Sequence, residues 1–138
     1  MIITEDPEAI RRVLVGSKTI AVVGASPKPE RDSYHIAKYL IDKGYDVIPV
    51  NPGQAEILGK KCYPDLKSIP RKVDIVDVFR ASEHIPPIAE EAAAIKAECL
   101  WLQSGIAHDE ASKKASDAGL YVVQDRCIAT LHRVLVRA

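Results

Sequence analysis

The strongest constraint on this chain is a repeated alternation: short β-branched apolar runs, each followed by a segment of helical periodicity. Thr19-Ile20-Ala21-Val22-Val23 is a continuous apolar run ended by Gly24, as expected of a strand buried on both faces. Ile36, Ala37, Leu40 and Ile41 then mark one face of a helix, with Asp32 or Ser33 available to cap its start and Gly44 at its C′ position. Asp46 to Val50 predicts a second strand, closed by Asn51-Pro52-Gly53, and a third is expected from about Val73 to Phe79. A helix opens near Ser82, where Pro86 and Pro87 fall in a first turn whose N–H groups lack partners anyway. Cys99 to Gln103 and Leu120 to Val123 predict two more strands, separated by a helix capped by Asp109 and ended by Gly119. Helices are also expected at about Pro7 to Val15 and at Ile128 to Val136.

Helix-linked strands rich in Val and Ile imply a parallel sheet with helices on both faces. The expectation is an α/β, Rossmann-like, doubly wound five-stranded sheet of order 3-2-1-4-5. Its switch point then falls beside the C-terminal end of the first strand, where open sheets of this type bind ligands. A length of 138 residues suits one domain over residues 1–138.

Composition removes whole classes of function. Nineteen Lys and Arg balance nineteen Asp and Glu, which argues against a nucleic-acid surface. The N-terminal segment places acids before its apolar residues and does not read as a signal peptide, and no apolar run approaches the roughly 20 residues that span a bilayer. Cys62, Cys99 and Cys127 have no CxxC spacing and indicate neither a disulfide framework nor a zinc site. A cytoplasmic protein with no membrane or nucleic-acid partner is expected. His35, His84, His108 and His132 stand without a carboxylate or Cys at catalytic spacing and read as structural or solvated.

The chemistry concentrates in the first strand–helix connection, Gly24-Ala25-Ser26-Pro27-Lys28-Pro29-Glu30-Arg31-Asp32-Ser33. Gly24 permits a tight turn, Ser26 offers a hydroxyl, Lys28 and Arg31 offer charge, and the helix start presents free N–H groups to an anion. Any strand–helix loop needs small polar residues, but Gly, Ser, Lys and Arg together at this corner predict a phosphate-binding loop, though not a dinucleotide fingerprint, because Gly-x-Gly-x-x-Gly needs two further glycines. The acidic residue expected at the end of the second strand for the ribose of NAD is replaced by Asn51. No Gly-Lys-Ser/Thr follows Gly24, so the loop is not a Walker P-loop either.

Six segments at the ends of successive strands carry a family resemblance. They are Val23-Gly24-Ala25-Ser26-Pro27, Val50-Asn51-Pro52, Leu58-Gly59-Lys60-Lys61-Cys62-Tyr63-Pro64, Val76-Asp77-Val78-Phe79-Arg80, Trp101-Leu102-Gln103-Ser104-Gly105 and Asp125-Arg126-Cys127. Through them the chain resembles the small stand-alone CoA-binding proteins, relatives of the N-terminal domain of the succinyl-CoA synthetase α-subunit. The resemblance implies coenzyme A as ligand, with its diphosphate on Gly24, Ala25, Ser26 and the helix start, Pro27, Lys28 and Arg31 completing the loop. Adenosine would lie near Asn51, Pro52, Phe79 and Arg80, and the pantetheine arm would run past Gln103 and Ser104 toward Cys127. Relatives often carry a Lys after the Asn-Pro pair, where this chain has Gly53-Gln54, so Lys28, Arg31 or Lys60 are left to meet the 3′-phosphate.

From the residues themselves, Phe79 fits either core or an adenine platform, and Trp101 fits the core. Arg126 and the following helix N-terminus favour a Cys127 thiolate, from an ordinary value of about 8.5. A mixed disulfide of Cys127 with the CoA thiol is expected under oxidising conditions, with Cys99 inert and Cys62, in a loop, as internal comparison. The leading reading is a non-catalytic CoA-binding, sensor or carrier module, with a protein partner or homo-oligomer possible. The alternatives are an NAD(P)-linked oxidoreductase, the nucleotide-binding subunit of an acyl-CoA ligase, or a plain interaction protein.

Overall fold

In the computed structural model, which describes residues 1–136, five parallel strands form one sheet. They are β1 (Thr19–Val23), β2 (Asp46–Val50), β5 (Ile75–Val78), β6 (Cys99–Leu102) and β7 (Tyr121–Val123), in the order β2-β1-β5-β6-β7. β3 (Glu56–Ile57) and β4 (Lys60–Lys61) make a small antiparallel hairpin, after which Tyr63 bridges in parallel to Val50 on the outer edge of β2. The order 3-2-1-4-5 is therefore realised with the passage around Tyr63 in the third place. The segment Val73 to Phe79, expected there, is narrowed to β5 and pairs with β1 on its other side, Ala21 opposite Val76 and Val22 opposite Asp77. The edge passage escapes sequence reading because one bridging residue leaves no apolar period to detect.

Either way, the direction of strand addition reverses at β1, which has β2 on one side and β5 on the other, so the switch point lies at the C-terminal end of β1. Both sheet edges are covered, β2 by Tyr63 and β7 by a parallel bridge from Ile2, which limits exposed pairing groups.

The helices are α1 (Pro7–Gly16), α2 (Asp32–Asp42), α3 (Ile85–Ala94), α4 (Asp109–Asp117) and α5 (Ile128–Leu135), with a 3-10 turn at Ser82–His84 leading into α3. Two expected caps are corrected. Asp32 and Ser33 do not cap α2: its N-cap is Arg31, in an extended conformation, and no side chain bonds the first turn. Asp109 is the first residue of α4, and the capping atom is Nδ1 of His108, which accepts from the Ala111 N–H. Helix starts select any acceptor at the turn into the helix, and an imidazole nitrogen serves as well as a carboxylate. Gly44 takes φ 96° directly after the C-cap Lys43, as an αL stop requires.

The alternation of side chains along each strand divides the core into two layers. Ala21, Ile48, Val76, Val78, Leu100 and Leu102 face α3 and α4, which contribute Ile85, Ala89, Ala92, Ala111 and Ala115. Ile20, Val22, Ile75, Cys99, Trp101 and Val123 face α1, α2 and α5, which contribute Leu14, Leu40 and Ile128. Trp101 is wholly buried, and its indole N–H donates to the Arg126 carbonyl at 2.8 Å, so it is core that also ties β6 to the start of α5.

Candidate functional site

At the switch point the connections after β1, β2, β5, β6 and β7 surround a cleft of about 1180 Å³. Every site residue expected from the sequence lines it: Gly24, Ala25, Ser26, Pro27, Lys28 and Arg31 from the first connection, Asn51 and Pro52 after β2, Phe79 and Arg80 after β5, Gln103 and Ser104 after β6, and Cys127 before α5. Lys60 does not line it, which leaves Lys28, Arg31 and Arg80 as its cations.

Backbone geometry builds the loop. Gly24 has φ +85°, and its N–H donates to the Val50 carbonyl at 3.0 Å. A Cβ there would meet the Phe79 carbonyl oxygen and the Arg80 side chain, each at 3.0 Å. The glycine is thus required by the close approach of the segment that follows β5, into which a side chain at this position would be driven. Ser26 Oγ accepts the Lys28 N–H at 3.1 Å and closes a local turn. Asn51 is committed on both sides: Nδ2 donates to the Ala25 carbonyl and Oδ1 accepts from the Gly53 N–H, both at 2.8 Å. It holds the loop that follows β1 against the end of β2. No side chain caps the first turn of α2, whose residues Asp32 and Ser33 line the cleft.

The other wall is more buried. Phe79 is half-buried, packed against the apolar layer while also lining the cleft. Arg80 and Ser104 are exposed. Gln103 is 5% exposed, and its Oε1 accepts the Ile128 N–H at 3.1 Å, satisfying a donor at the α5 N-terminus.

Cys127 is the N-cap residue of α5 and is half-buried at the cleft. Burial raises its pKa, but hydrogen bonds from the Thr130 side chain and N–H, the Gln103 side chain and the Ala129 N–H outweigh it and hold the thiol below its ordinary value. Arg126 does not take the expected part: its guanidinium bonds Glu5 and the Asp125 carbonyl. The helix terminus and Gln103 do the work instead. Cys99 is fully buried, and desolvation drives its pKa far up. Cys62 is 6% exposed rather than open in a loop, its Sγ lies 3.5 Å from the Asn51 carbonyl, and burial raises its pKa, so it is a second protected thiol and not an accessible comparison. Of the histidines, His132 is buried against Tyr39 at 2.9 Å and His108 caps α4, while His35 and His84 are exposed.

Sequence reasoning missed contributors from two places. Pro64 and Asp65 reach the cleft from the edge passage beside β2, and Ile88 and Glu91 from α3, where Glu91 Oε1 accepts the Leu66 N–H at 3.1 Å. The spacing of Ile88 and Glu91 puts them on one helix face, but only the packing tells which way that face looks. Asp77 had a signal: an acid inside the apolar run Ile75-Val76-Asp77-Val78. It is wholly buried, and neither carboxylate oxygen has a hydrogen-bond partner. A second groove of about 670 Å³ runs between α3 and α4, lined largely by alanines such as Ala89, Ala93, Ala111 and Ala115. It has no phosphate loop and lies away from the switch point. Among the described residues, no three His, Cys, Asp or Glu side chains gather to hold a metal, and no helix is long and apolar enough to cross a membrane.

Known proteins share this architecture. The chain is 43% identical to YneT of Bacillus subtilis (strain 168) over 125 residues, 91% of this chain and 93% of that protein. A hypothetical protein from Pyrococcus horikoshii OT3 superposes with a TM-score of 0.94 at 44% identity, covering 99% of this chain and 97% of the other. The α subunit of acetate–CoA ligase (ADP-forming) I from Pyrococcus furiosus is 38% identical over 84 residues, but the match spans only 18% of that subunit. Residues 18–133, from just before β1 into α5, match the CoA binding domain, and the chain belongs to that family.

Proposed function

We propose that residues 1–138 form one unit that binds coenzyme A, free or acylated, in the cleft at the end of β1. The diphosphate would rest on the backbone of Gly24, Ala25 and Ser26 and on the uncapped start of α2, where free N–H groups and the helix dipole favour an anion. Lys28, Arg31 and Arg80 are the cations available to the phosphates. Adenosine would pack near Pro52 and Phe79, and the pantetheine arm would pass Gln103 and Ser104 to end at Cys127. The observation that carries this reading is that the Gly24-Ala25-Ser26 turn, a helix start without a side-chain cap and a half-buried thiol all line one continuous cleft.

Asn51 weighs against a dinucleotide. NAD binding at this corner uses an acidic residue to accept from the ribose hydroxyls. Here both ends of a neutral amide are already bonded to the protein.

The role proposed is that of a cytoplasmic, non-catalytic binding, sensor or carrier module acting alone, as an oligomer or with a protein partner. The likeness to the ligase subunit covers a fifth or less of that chain, which favours a shared binding module over shared catalysis. A native mass spectrum of freshly purified protein tests the ligand. A mass increment equal to CoA or an acyl-CoA is expected, and an increment equal to NAD or NADP would overturn the assignment.

A further inference from the structure

Gln103 follows β6 directly, and its backbone is pinned on several sides. Its N–H donates to the Val78 carbonyl at 3.3 Å, and its carbonyl accepts the Ile106 N–H at 2.9 Å, closing a tight turn. Within that turn Gly105 takes φ +83°, and its N–H donates to the Asp125 carboxylate at 2.6 Å. The Gln103 side chain is 5% exposed and lines the cleft. Its oxygen accepts the Ile128 N–H at 3.1 Å. Only the oxygen of an amide can accept, so this bond fixes which end of the side chain is the donor. One N–H of the donor end turns to the Cys127 thiol. Among the described residues, no protein oxygen accepts from the other. The Asp77 oxygens alone are both sealed and unbonded there, so the Gln103 nitrogen opens onto the cleft. A donor held in a buried wall without a protein acceptor calls for one from a ligand.

We propose that the inner end of the cleft selects a thioester, and that Gln103 reads it by donating to the thioester carbonyl oxygen of an acyl-CoA. This rests on the CoA reading of the cleft and narrows it from free or acylated CoA to the acylated form. A thiol is a weak acceptor, so free CoA leaves the Gln103 N–H poorly met, whereas a carbonyl oxygen offers two lone pairs. The surroundings also suit acyl carbons. Ile106, at the end of the same turn, and Ile88 on α3 are partly buried and line the cleft as an apolar surface.

The test is calorimetry of the full chain with acetyl-CoA and with S-ethyl-CoA, a thioether in which CH2 replaces the carbonyl. Wild type should bind acetyl-CoA about twofold to tenfold more tightly, the range that one neutral hydrogen bond supplies. Gln103→Glu keeps an oxygen for the Ile128 N–H but exchanges the NH2 donor for an acceptor, and should lose the preference or invert it. Taking the ratio within each protein cancels the added charge, because both ligands carry the same phosphates. An undiminished ratio in Gln103→Glu would overturn the proposal. Equal binding of both ligands by wild type would also overturn it, placing Gln103 on an amide of the pantetheine arm, while the CoA reading would stand. Absence of binding by CoA, acetyl-CoA and S-ethyl-CoA alike would overturn the CoA reading itself, and the inference with it. A second measurement needs no variant: in ¹⁵N-labelled wild type, the Gln103 NH2 proton signals should move downfield with acetyl-CoA and not with S-ethyl-CoA. The same shift with both ligands would overturn the assignment.

Discussion

The two faces of the sheet are built from alternate residues of the same strands, yet they do different things. The face toward α3 and α4 carries no charged group among its buried strand residues, with Val76, Val78, Leu100 and Leu102 each fully buried against alanines and Ile85. The face toward α1, α2 and α5 carries an unbonded acid and a buried thiol among its apolar residues, and it leads to the half-buried Cys127. It is also the face whose helices α2 and α5 begin at the cleft, at Asp32 and Cys127. One layer supplies stability, and the other gives up some of it to place polar groups beneath the cleft.

The largest effect expected from this contrast is on the apolar face. Leu100→Ala removes a fully buried side chain and should destabilise by about 2–5 kcal/mol in urea unfolding. A loss under about 1 kcal/mol would mean that this layer is not the tightly packed one.

On the other face, Asp77→Leu should stabilise the protein near neutral pH by about 1–3 kcal/mol, the cost of a buried unsatisfied group. The sign follows from linkage. The folded-state pKa of Asp77 lies well above its unfolded value of about 3.9, so wild type is relieved below that value and loses stability as pH rises toward the folded one. The advantage of the Leu variant should therefore be small near pH 4 and widen toward pH 8. A destabilised variant, or a gap that narrows with rising pH, would mean that Asp77 has a partner in solution.

The smallest effect concerns the loop. Ser26→Ala should weaken CoA binding by about 0.5–1.5 kcal/mol, because its hydroxyl closes the Lys28 turn through a neutral hydrogen bond. A loss beyond about 3 kcal/mol would place that hydroxyl on a phosphate directly.

Much of this was legible in the sequence because it rests on local periodicity. β1 and β2 end where their apolar runs end, and the thirteen cleft residues expected from the sequence all follow strand termini, where doubly wound folds put ligands. What was not legible depends on distant partners. Nothing local reveals that Asn51 spends its amide on Ala25, that Gly24 is demanded by Phe79, or that Arg126 turns away to Glu5. The burial of Cys62 likewise comes from the edge passage folding onto β2, a contact with no periodic signature. Asp77 stood in plain view as an acid in an apolar strand, but only the packing shows that no donor meets it.

The central claim, that the cleft at the end of β1 takes CoA rather than a nicotinamide dinucleotide, is tested most directly by thermal unfolding with each ligand. At about a hundred times its dissociation constant a ligand stabilises the folded state by about 2.7 kcal/mol. In a chain of this size CoA should then raise the Tm by several degrees, at about 2–8 °C per kcal/mol, while NAD and NADP at the same concentration leave it nearly unchanged. A larger shift with NAD or NADP than with CoA would contradict the account.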